Sequence, residues 1–402
     1  MKKFSRMALL TVLAVALVAF AAGCGDDSNS DSSSSSGTPT ATDQAASTAA
    51  ETTASDDAGG SALDQATADV EKLSQRPTKI GLTTPLEEGK PVPSGKLIYF
   101  LGCGLPVCKG IGDHFNDAAK VFGWKTKYVN AGLTPETIKG AWDLAVRDKP
   151  DGVMVNTGGV PKDVYADELA ALKKANIPVV FNSEVFPANE AEGVTAVVGG
   201  PARQTAAADA MAEWAAVKTE GKGDILFVTS SALGNQKATA DQFVETYLPK
   251  YCPDCKVTVY DAPITSVGKD LPNKIAQQVQ KHSGINLLIV QGGDFAIGLP
   301  AALAGASLEG KFKILIQSQS ATASQDLKNG KYDAIYGLGL PELVWLAADG
   351  FARFYSGQSL KPTEEADGFK EWFIQPDQVP ADTEDYPLVA DYQAQYKALW
   401  GK

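Results

Sequence analysis

The sequence predicts an α/β fold with two lobes, each built on a doubly wound parallel sheet. Short apolar runs alternate with segments of helical periodicity from Lys96 to Tyr355. Strands that alternate with helices favour parallel sheets covered by helices on both faces. The alternation starts afresh at Asp224, which indicates a second unit of the same kind.

The first unit contains five predicted strands, of which the first, KLIYFL, is a short apolar run typical of a buried strand. Phe115, Ala118 and Phe122 recur at helical spacing between the first two strands. Thr134 and Pro135 are typical of a helix N-cap and first helical position. The predicted strands are 96–101, 125–130, 152–156, 177–181 and 194–198, and the helices are 111–122, 134–147, 164–174 and 204–218.

The second unit repeats this order. Its predicted strands are 224–229, 256–260, 286–291, 313–317 and 334–338, and its helices are 237–247, 271–281, 295–304, 324–329 and 343–355. Ligands of open parallel sheets bind beyond the carboxyl ends of the strands. With two lobes that face each other, we expect the ligand in the cleft between them.

Composition excludes several functions. The chain has 402 residues with 44% hydrophobic residues, enough for a packed bilobed fold. Its formal net charge of -12 argues against nucleic acid as a partner. His114 and His282 are the two histidines, so no histidine-rich metal site is expected. We predict neither a metal nor a cofactor.

The N-terminus has the order of a secretory signal. Basic residues within 1–6 precede the uncharged, mostly apolar run 7–22, which is shorter than the ~20 residues of a membrane-spanning helix. The sequence AAGC at 21–24 resembles the lipobox of bacterial lipoproteins. The resemblance implies cleavage of residues 1–23, acylation of Cys24 and anchoring at the membrane. A plain signal peptide and a retained transmembrane anchor are the alternatives.

Two segments separate this signal from the lobes. Residues 24–60 are mostly Ser, Thr, Ala and Asp, so we predict a disordered tether that carries the lipid. Residues 61–95 are predicted to form a short helix, Ala62–Gln75, and a proline-rich connector. We expect this helix to be a marginal surface helix.

Four further cysteines predict two local disulfides in an oxidising compartment, Cys103–Cys108 and Cys252–Cys255. A shared zinc site and a thioredoxin-like redox motif are the alternatives. The first pair follows a strand and the second precedes one, so the two pairs are expected at opposite edges of different lobes. This placement argues against a shared metal.

From about residue 96 to residue 362 the chain resembles the type 1 periplasmic (solute-)binding proteins, in the sugar-binding branch related to ribose-binding protein. The motifs that carry the resemblance are KLIYFL, KPDGVMVN, KKANIPVVFNSE, GDILFVTSS and INLLIVQGGDFAIGLPAAL. The resemblance implies a hinge and three crossovers. It places 96–198 plus 341–368 in the N-terminal lobe and 199–340 plus 369–402 in the C-terminal lobe.

The resemblance also implies the ligand contacts. The first loop has Leu105, Val107 and Cys108 where sugar-binding relatives often have Asn and aromatic residues, which favours an apolar or non-sugar ligand. The other expected contacts are Asn182, Ser183, Glu184, Lys237, Gly292, Asp294 and Ser318. Ordinary structural roles are the alternatives: a turn cap for Asn182, a solvated helix start for Lys237, and surface charges for Glu184 and Asp294.

The function implied is that of a substrate-binding lipoprotein of an ABC importer, a monomer that closes on a small solute, sugar-like by family default. It would present the solute to permease subunits in the membrane. The chain has no Walker A motif, so the ATPase must be another protein. A sensory binding protein that signals to a membrane receptor is an alternative. An extracellular hydrolase is a further one, although no G-x-S-x-G motif is present and we expect no enzyme activity.

Overall fold

Two sheets confirm the predicted α/β fold. The computed structural model describes residues 57–366, 371–380 and 386–402. The predicted signal peptide, Cys24 and most of the predicted tether lie outside these residues. No helix in these three ranges is both long and apolar enough to cross a membrane.

The first lobe is built on a five-stranded parallel sheet of order β2-β1-β3-β4-β5. Every residue of its central strand β3 is buried, because helices cover both faces. As predicted, Thr134 caps the second helix of this lobe, accepting a hydrogen bond from the Thr137 backbone amide. The described residues begin with α1 (Asp57–Leu73), which precedes this lobe. The elements of the lobe are β1 (Leu97–Cys103), α2 (Pro106–Val121), β2 (Lys125–Gly132), α3 (Pro135–Asp148), β3 (Gly152–Asn156), α4 (Ala166–Lys174), β4 (Val179–Asn182) and β5 (Ala196–Val198).

The second lobe is built on a six-stranded sheet of order β11-β10-β9-β8-β6-β7, in which β11 alone runs antiparallel. A π-helical turn, Phe243–Tyr247, joins its second and third helices. The elements are α5 (Pro201–Lys218), β6 (Asp224–Thr229), α6 (Gly234–Gln242), α7 (Leu248–Tyr251), β7 (Lys256–Asp261), α8 (Leu271–Lys281), β8 (Leu287–Gln291), α9 (Leu299–Gly305), β9 (Lys313–Gln317), α10 (Ala321–Lys328), β10 (Ala334–Gly337) and β11 (Trp372–Ile374).

The chain returns to the first lobe after β10. Helix α11 (Leu340–Tyr355) packs into the first core, and α12 (Lys361–Glu365) follows it. The chain crosses back to form β11 and then ends in α13 (Tyr392–Leu399).

The C-terminal segment is divided between the lobes, which differs from the expectation for 369–402. Strand β11 lies in the second lobe, as expected. Helix α13 instead packs on the first lobe, where Trp400 stacks on Trp345 at 5.3 Å between ring centroids and Tyr392 meets the same ring edge-on at 5.4 Å. The aromatic side chains of α13 and its C-cap lie on one face of the helix, and this face packs on the apolar surface of α11.

Helix α1 is longer and better packed than the predicted marginal helix. Ala66 and Val70 are buried against α5 of the second lobe. The connector that follows places Ile80 and Leu82 in the core of the first lobe. Residues 57–82 therefore join the two lobes in addition to the crossovers.

The contact between α1 and α5 covers an acidic side chain. Glu213 is 4% exposed, and burial raises its pKa to about 7, with the carboxylates of Asp209 and Asp69 acting in the same direction. The tyrosine hydroxyl of Tyr251 and the ammonium of Lys250 face the same cluster. The folded protein therefore holds a proton here at a pH where the unfolded chain has lost it.

We predict that this raised pKa makes the protein less stable as the pH rises. The stabilisation is complete below the ordinary glutamate pKa and is lost as the pH approaches about 7. Glu213→Gln should therefore raise the free energy of unfolding near pH 8 by ~1 kcal/mol relative to the parent, and should reduce the slope between about pH 5 and about pH 8. Some slope should remain, because burial also raises the pKa of Glu342 to about 7.

The measurement is denaturant unfolding across this pH range. Glu71→Gln is the control, because Glu71 is an exposed acid on α1, the helix that packs on α5. This substitution should leave the slope of stability against pH unchanged. Equal slopes for the parent and Glu213→Gln would contradict the assignment.

Candidate functional site

A cavity of about 160 Å³ lies between the lobes, at the carboxyl ends of the central strands. The first lobe and the hinge contribute Cys103, Leu105, Val107, Cys108, Ile111, Asn156, Gly158, Ser183, Leu338 and Leu340. The second lobe contributes Arg203, Gln204, Ala207, Leu233, Asn235, Gln236, Thr239, Gln291, Gly292, Gly293, Asp294, Phe295, Gln317, Ser318 and Gln319.

Most of the expected contact residues meet at this cavity. Those that line it are Leu105, Val107, Cys108, Ser183, Gly292, Asp294 and Ser318. Three do not line it. Asn182 and Glu184 are fully buried behind the wall, where burial raises the pKa of Glu184 well above its ordinary value. Lys237 is exposed and forms an ion pair with Asp241, one turn along α6.

Two pairs of hydrogen-bonded amide side chains lie at the floor of the cavity or directly behind it, one pair in each lobe. In the first lobe Asn182 Nδ2 donates to Asn156 Oδ1 at 2.9 Å. In the second lobe Gln291 Nε2 donates to Gln317 Oε1 at the same distance. Each of these residues is the last of its strand, so parallel pairing places the members of a pair side by side. Asn156 was missed from the sequence, although an amide at the end of four apolar strands is a visible signal.

Each amide pair leaves one polar atom without a partner, on a residue that lines the cavity. Asn156 Nδ2 and Gln291 Oε1 are buried and have no hydrogen-bond partner among the residues that the structure describes. Most buried polar groups in proteins are paired, so an unpaired one at a cavity marks a place where a bound molecule completes the hydrogen bonds.

The first turn of α5 supplies a further polar group that sequence analysis missed. Arg203 Nε donates to Glu371 Oε1 at 2.6 Å, and both side chains are buried. Arg203 Nη2 and Gln204 Oε1, both at the cavity, have no hydrogen-bond partner within the described ranges. The available signal was Gly200-Pro201, which starts a helix directly after β5 and so turns its first residues toward the cleft.

The lobes touch across the cleft in this structure. The Val107 backbone amide lies 3.4 Å from Asp294 Oδ2 of the opposite lobe. Burial raises the pKa of Asp294 above its ordinary value. A Cβ added at Gly234 would overlap the carbonyl oxygen of Gly159, so this contact depends on glycine. The structure is thus a closed arrangement of the two lobes.

The cysteines form the two expected pairs, Cys103–Cys108 and Cys252–Cys255. The first pair lines the cavity and joins the end of β1 to the first turn of α2. The second pair lies before β7, at the opposite edge of the other lobe. In the described part of the chain, no cluster of His, Cys, Asp and Glu has the arrangement of a metal site.

Comparisons with known proteins agree with this geometry. The model of a family described as periplasmic binding protein domain matches residues 104–358. The glucose-galactose binding protein GanP from Geobacillus stearothermophilus is 18% identical with a TM-score of 0.57, over 66% of this chain and 92% of GanP. A 5-methylthioribose transporter solute binding protein from Thermotoga lettingae is 13% identical with a TM-score of 0.60, over 80% of this chain and 96% of its own.

A third similar structure is an ABC transporter solute binding protein from Agrobacterium vitis with bound allitol. It is 17% identical with a TM-score of 0.55, over 66% of this chain and 91% of its own. These likenesses establish the fold. No curated protein sequence matches the chain significantly.

We predict that the two disulfides contribute equally to stability but differently to the cavity. Each closes a short loop, so Cys103→Ser/Cys108→Ser and Cys252→Ser/Cys255→Ser should each lower the free energy of unfolding by ~2 kcal/mol. Only the first pair of substitutions should loosen the wall of the cavity. Hydrogen exchange of the backbone amides in 103–111 measures this and should increase in the first double variant alone. Equal exchange in both double variants would show that the first disulfide does not order this loop.

Proposed function

Because the chain belongs to the periplasmic binding protein domain family, we propose that it is an extracytoplasmic solute-binding protein of an ABC importer. It binds a small, sugar-like molecule between its lobes by hinge closure and presents the closed complex to permease subunits. The proposal includes acylation of Cys24, which would hold the protein at the membrane.

One observation carries the proposal: four buried polar atoms without partners among the described residues belong to side chains that line the interlobe cavity. They are Asn156 Nδ2, Arg203 Nη2, Gln204 Oε1 and Gln291 Oε1. Two are donors and two are acceptors, and hydroxyl groups, which both donate and accept, suit such a set. The neighbours that are described as binding glucose and galactose, or allitol, support the same class of ligand.

The ligand contacts that we propose are the expected residues at the cavity together with these four side chains. Asn182 supports Asn156 from behind through its amide hydrogen bond. Arg203 is joined to Glu371, which lies on the return of the chain from the first lobe to β11. Occupation of the cavity is thereby linked to a hinge segment, which is how a small ligand would favour the closed arrangement.

The first test is a thermal-shift screen of the purified protein against sugars, polyols, amino acids, nucleosides and small aromatic acids. A ligand present at about 100 times its dissociation constant adds ~2.7 kcal/mol to the free energy of unfolding. We expect a shift with neutral polyhydroxylated compounds and recovery of the unaltered compound. A chemically converted compound would overturn the binding-protein function in favour of an enzyme.

We also predict that closure depends on Gly234. Gly234→Ala should weaken binding of the compound identified in the screen at least ten-fold, because the added methyl group meets the Gly159 backbone only when the lobes close. Stability without ligand should change little. Gly140→Ala is the matched control, since a Cβ there meets nothing within 4 Å. Unchanged affinity in Gly234→Ala, measured by calorimetry, would contradict binding by closure.

A further inference from the structure

The cavity has two chemically different walls. The segment from the end of β1 into α2 contributes Cys103, Leu105, Val107, Cys108 and Ile111. These side chains offer aliphatic carbon and a disulfide, and none carries a hydroxyl, an amide or a charge. The backbone amides of Val107 and Cys108 are directed to Asp294 and to the Leu105 carbonyl oxygen. A ligand hydroxyl placed against this wall finds no hydrogen-bond partner among the side chains of the segment itself. The neighbouring carboxyl group, Asp294 of the opposite lobe, accepts from the Val107 amide.

The other wall is polar and holds the unpartnered atoms described above. The donors are Asn156 Nδ2 and Arg203 Nη2, and the acceptors are Gln204 Oε1 and Gln291 Oε1. All four side chains are more than nine-tenths buried. These side chains are shielded from bulk water, so a bound molecule that reaches the unpartnered atoms would complete their hydrogen bonds.

Charge and size restrict the ligand further. Two ionisable side chains line the cavity, Arg203 and Asp294. Arg203 has the carboxylate of Glu371 at 2.6 Å, and burial raises the pKa of Asp294, which favours its neutral form. Neither therefore requires a ligand of opposite charge. The cavity volume of about 160 Å³ is close to the roughly 150 Å³ of an engineered cavity that encloses benzene. One sugar ring or a short polyol fits this volume.

We infer that the ligand is a neutral monosaccharide or polyol in which one side lacks hydroxyls, such as a deoxy sugar or an alkyl glycoside. Its hydroxylated side contacts the polar wall and its methyl or alkyl group contacts the wall formed by the Cys103–Cys108 disulfide, Leu105 and Val107. This inference rests on the proposed function and goes beyond it, because it states which side of the sugar is apolar.

The test is competitive capture from a defined mixture. The purified protein is incubated with equimolar pairs: D-galactose with D-fucose, D-glucose with methyl glucoside, and D-ribose with methyl riboside. Retained compounds are released by denaturation and quantified by mass spectrometry. In a retained pair we expect the deoxy or alkyl member to exceed its parent roughly 10- to 100-fold, because a hydroxyl buried without a partner weakens binding by such a factor.

The outcomes separate the inference from the proposed function. Retention of a parent sugar at equal or greater amounts than its deoxy or alkyl partner overturns the inference and leaves sugar binding intact. Retention of no deoxy or alkyl member overturns the inference, and the thermal-shift screen then decides separately whether the proposed function stands.

Variants test each wall separately. Val107→Asn should move the preference toward the parent sugar by about ten-fold, since its amide offers a new partner to a hydroxyl. Asn156→Asp keeps the oxygen that accepts from Asn182 and removes the donor at the cavity, so it should weaken capture of both members of a pair about ten-fold. Lys237→Ala, at an exposed position outside the cavity, is the control and should change neither quantity. If Val107→Asn keeps its stability in thermal unfolding and its preference is unaltered, the inference that this wall contacts the side of the ligand without hydroxyls is overturned.

Discussion

Parallel pairing of the strands determines where this protein can bind anything. Because all strands of the first sheet run the same way, and all but β11 in the second, their carboxyl ends collect at one edge of each sheet. The central strands β3 and β8 are buried throughout and carry apolar side chains up to their last residue, so the polar side chains of these strands lie where they end. The cavity, the amide pairs and the closed arrangement of the lobes all follow from this edge.

The amide pairs give the cavity hydrogen-bonding groups without placing a charge at these four positions. Asn182 fixes Asn156, and Gln317 fixes Gln291, so that one donor and one acceptor remain for a ligand. An amide costs less to bury than a carboxylate or an ammonium group and offers both a donor and an acceptor. The single cation at the cavity is held by Glu371, which neutralises it and joins it to a hinge segment.

Two further segments connect the lobes in addition to the three crossovers. Residues 57–82 span from α5 to the first core, and α13 returns to that core after β11 has paired in the second lobe. Glu342, at the start of α11, accepts a hydrogen bond from the Val389 amide at 2.7 Å, so two of these connections are joined at the hinge. Opening of the cleft must therefore be a rotation that these segments permit, with α1 and α13 moving as parts of the lobes they pack on.

The sequence by itself determined the order of strands and helices, the two-lobe fold and the loops that meet at the cleft, because these depend on local periodicity and on the direction of parallel strands. It also predicted both disulfides, whose partners are close along the chain. Tertiary structure alone decided which polar atoms remain unpartnered. Asn156, Arg203 and Gln204 differ from other polar residues only in what lies opposite them. Lys237 and Glu184 do not line the cavity, although the sequence led us to expect them there, because their positions also depend on the packing of distant segments. The docking of α1 and α13 likewise depended on apolar surfaces contributed by distant segments, α5 and α11, which local periodicity does not reveal.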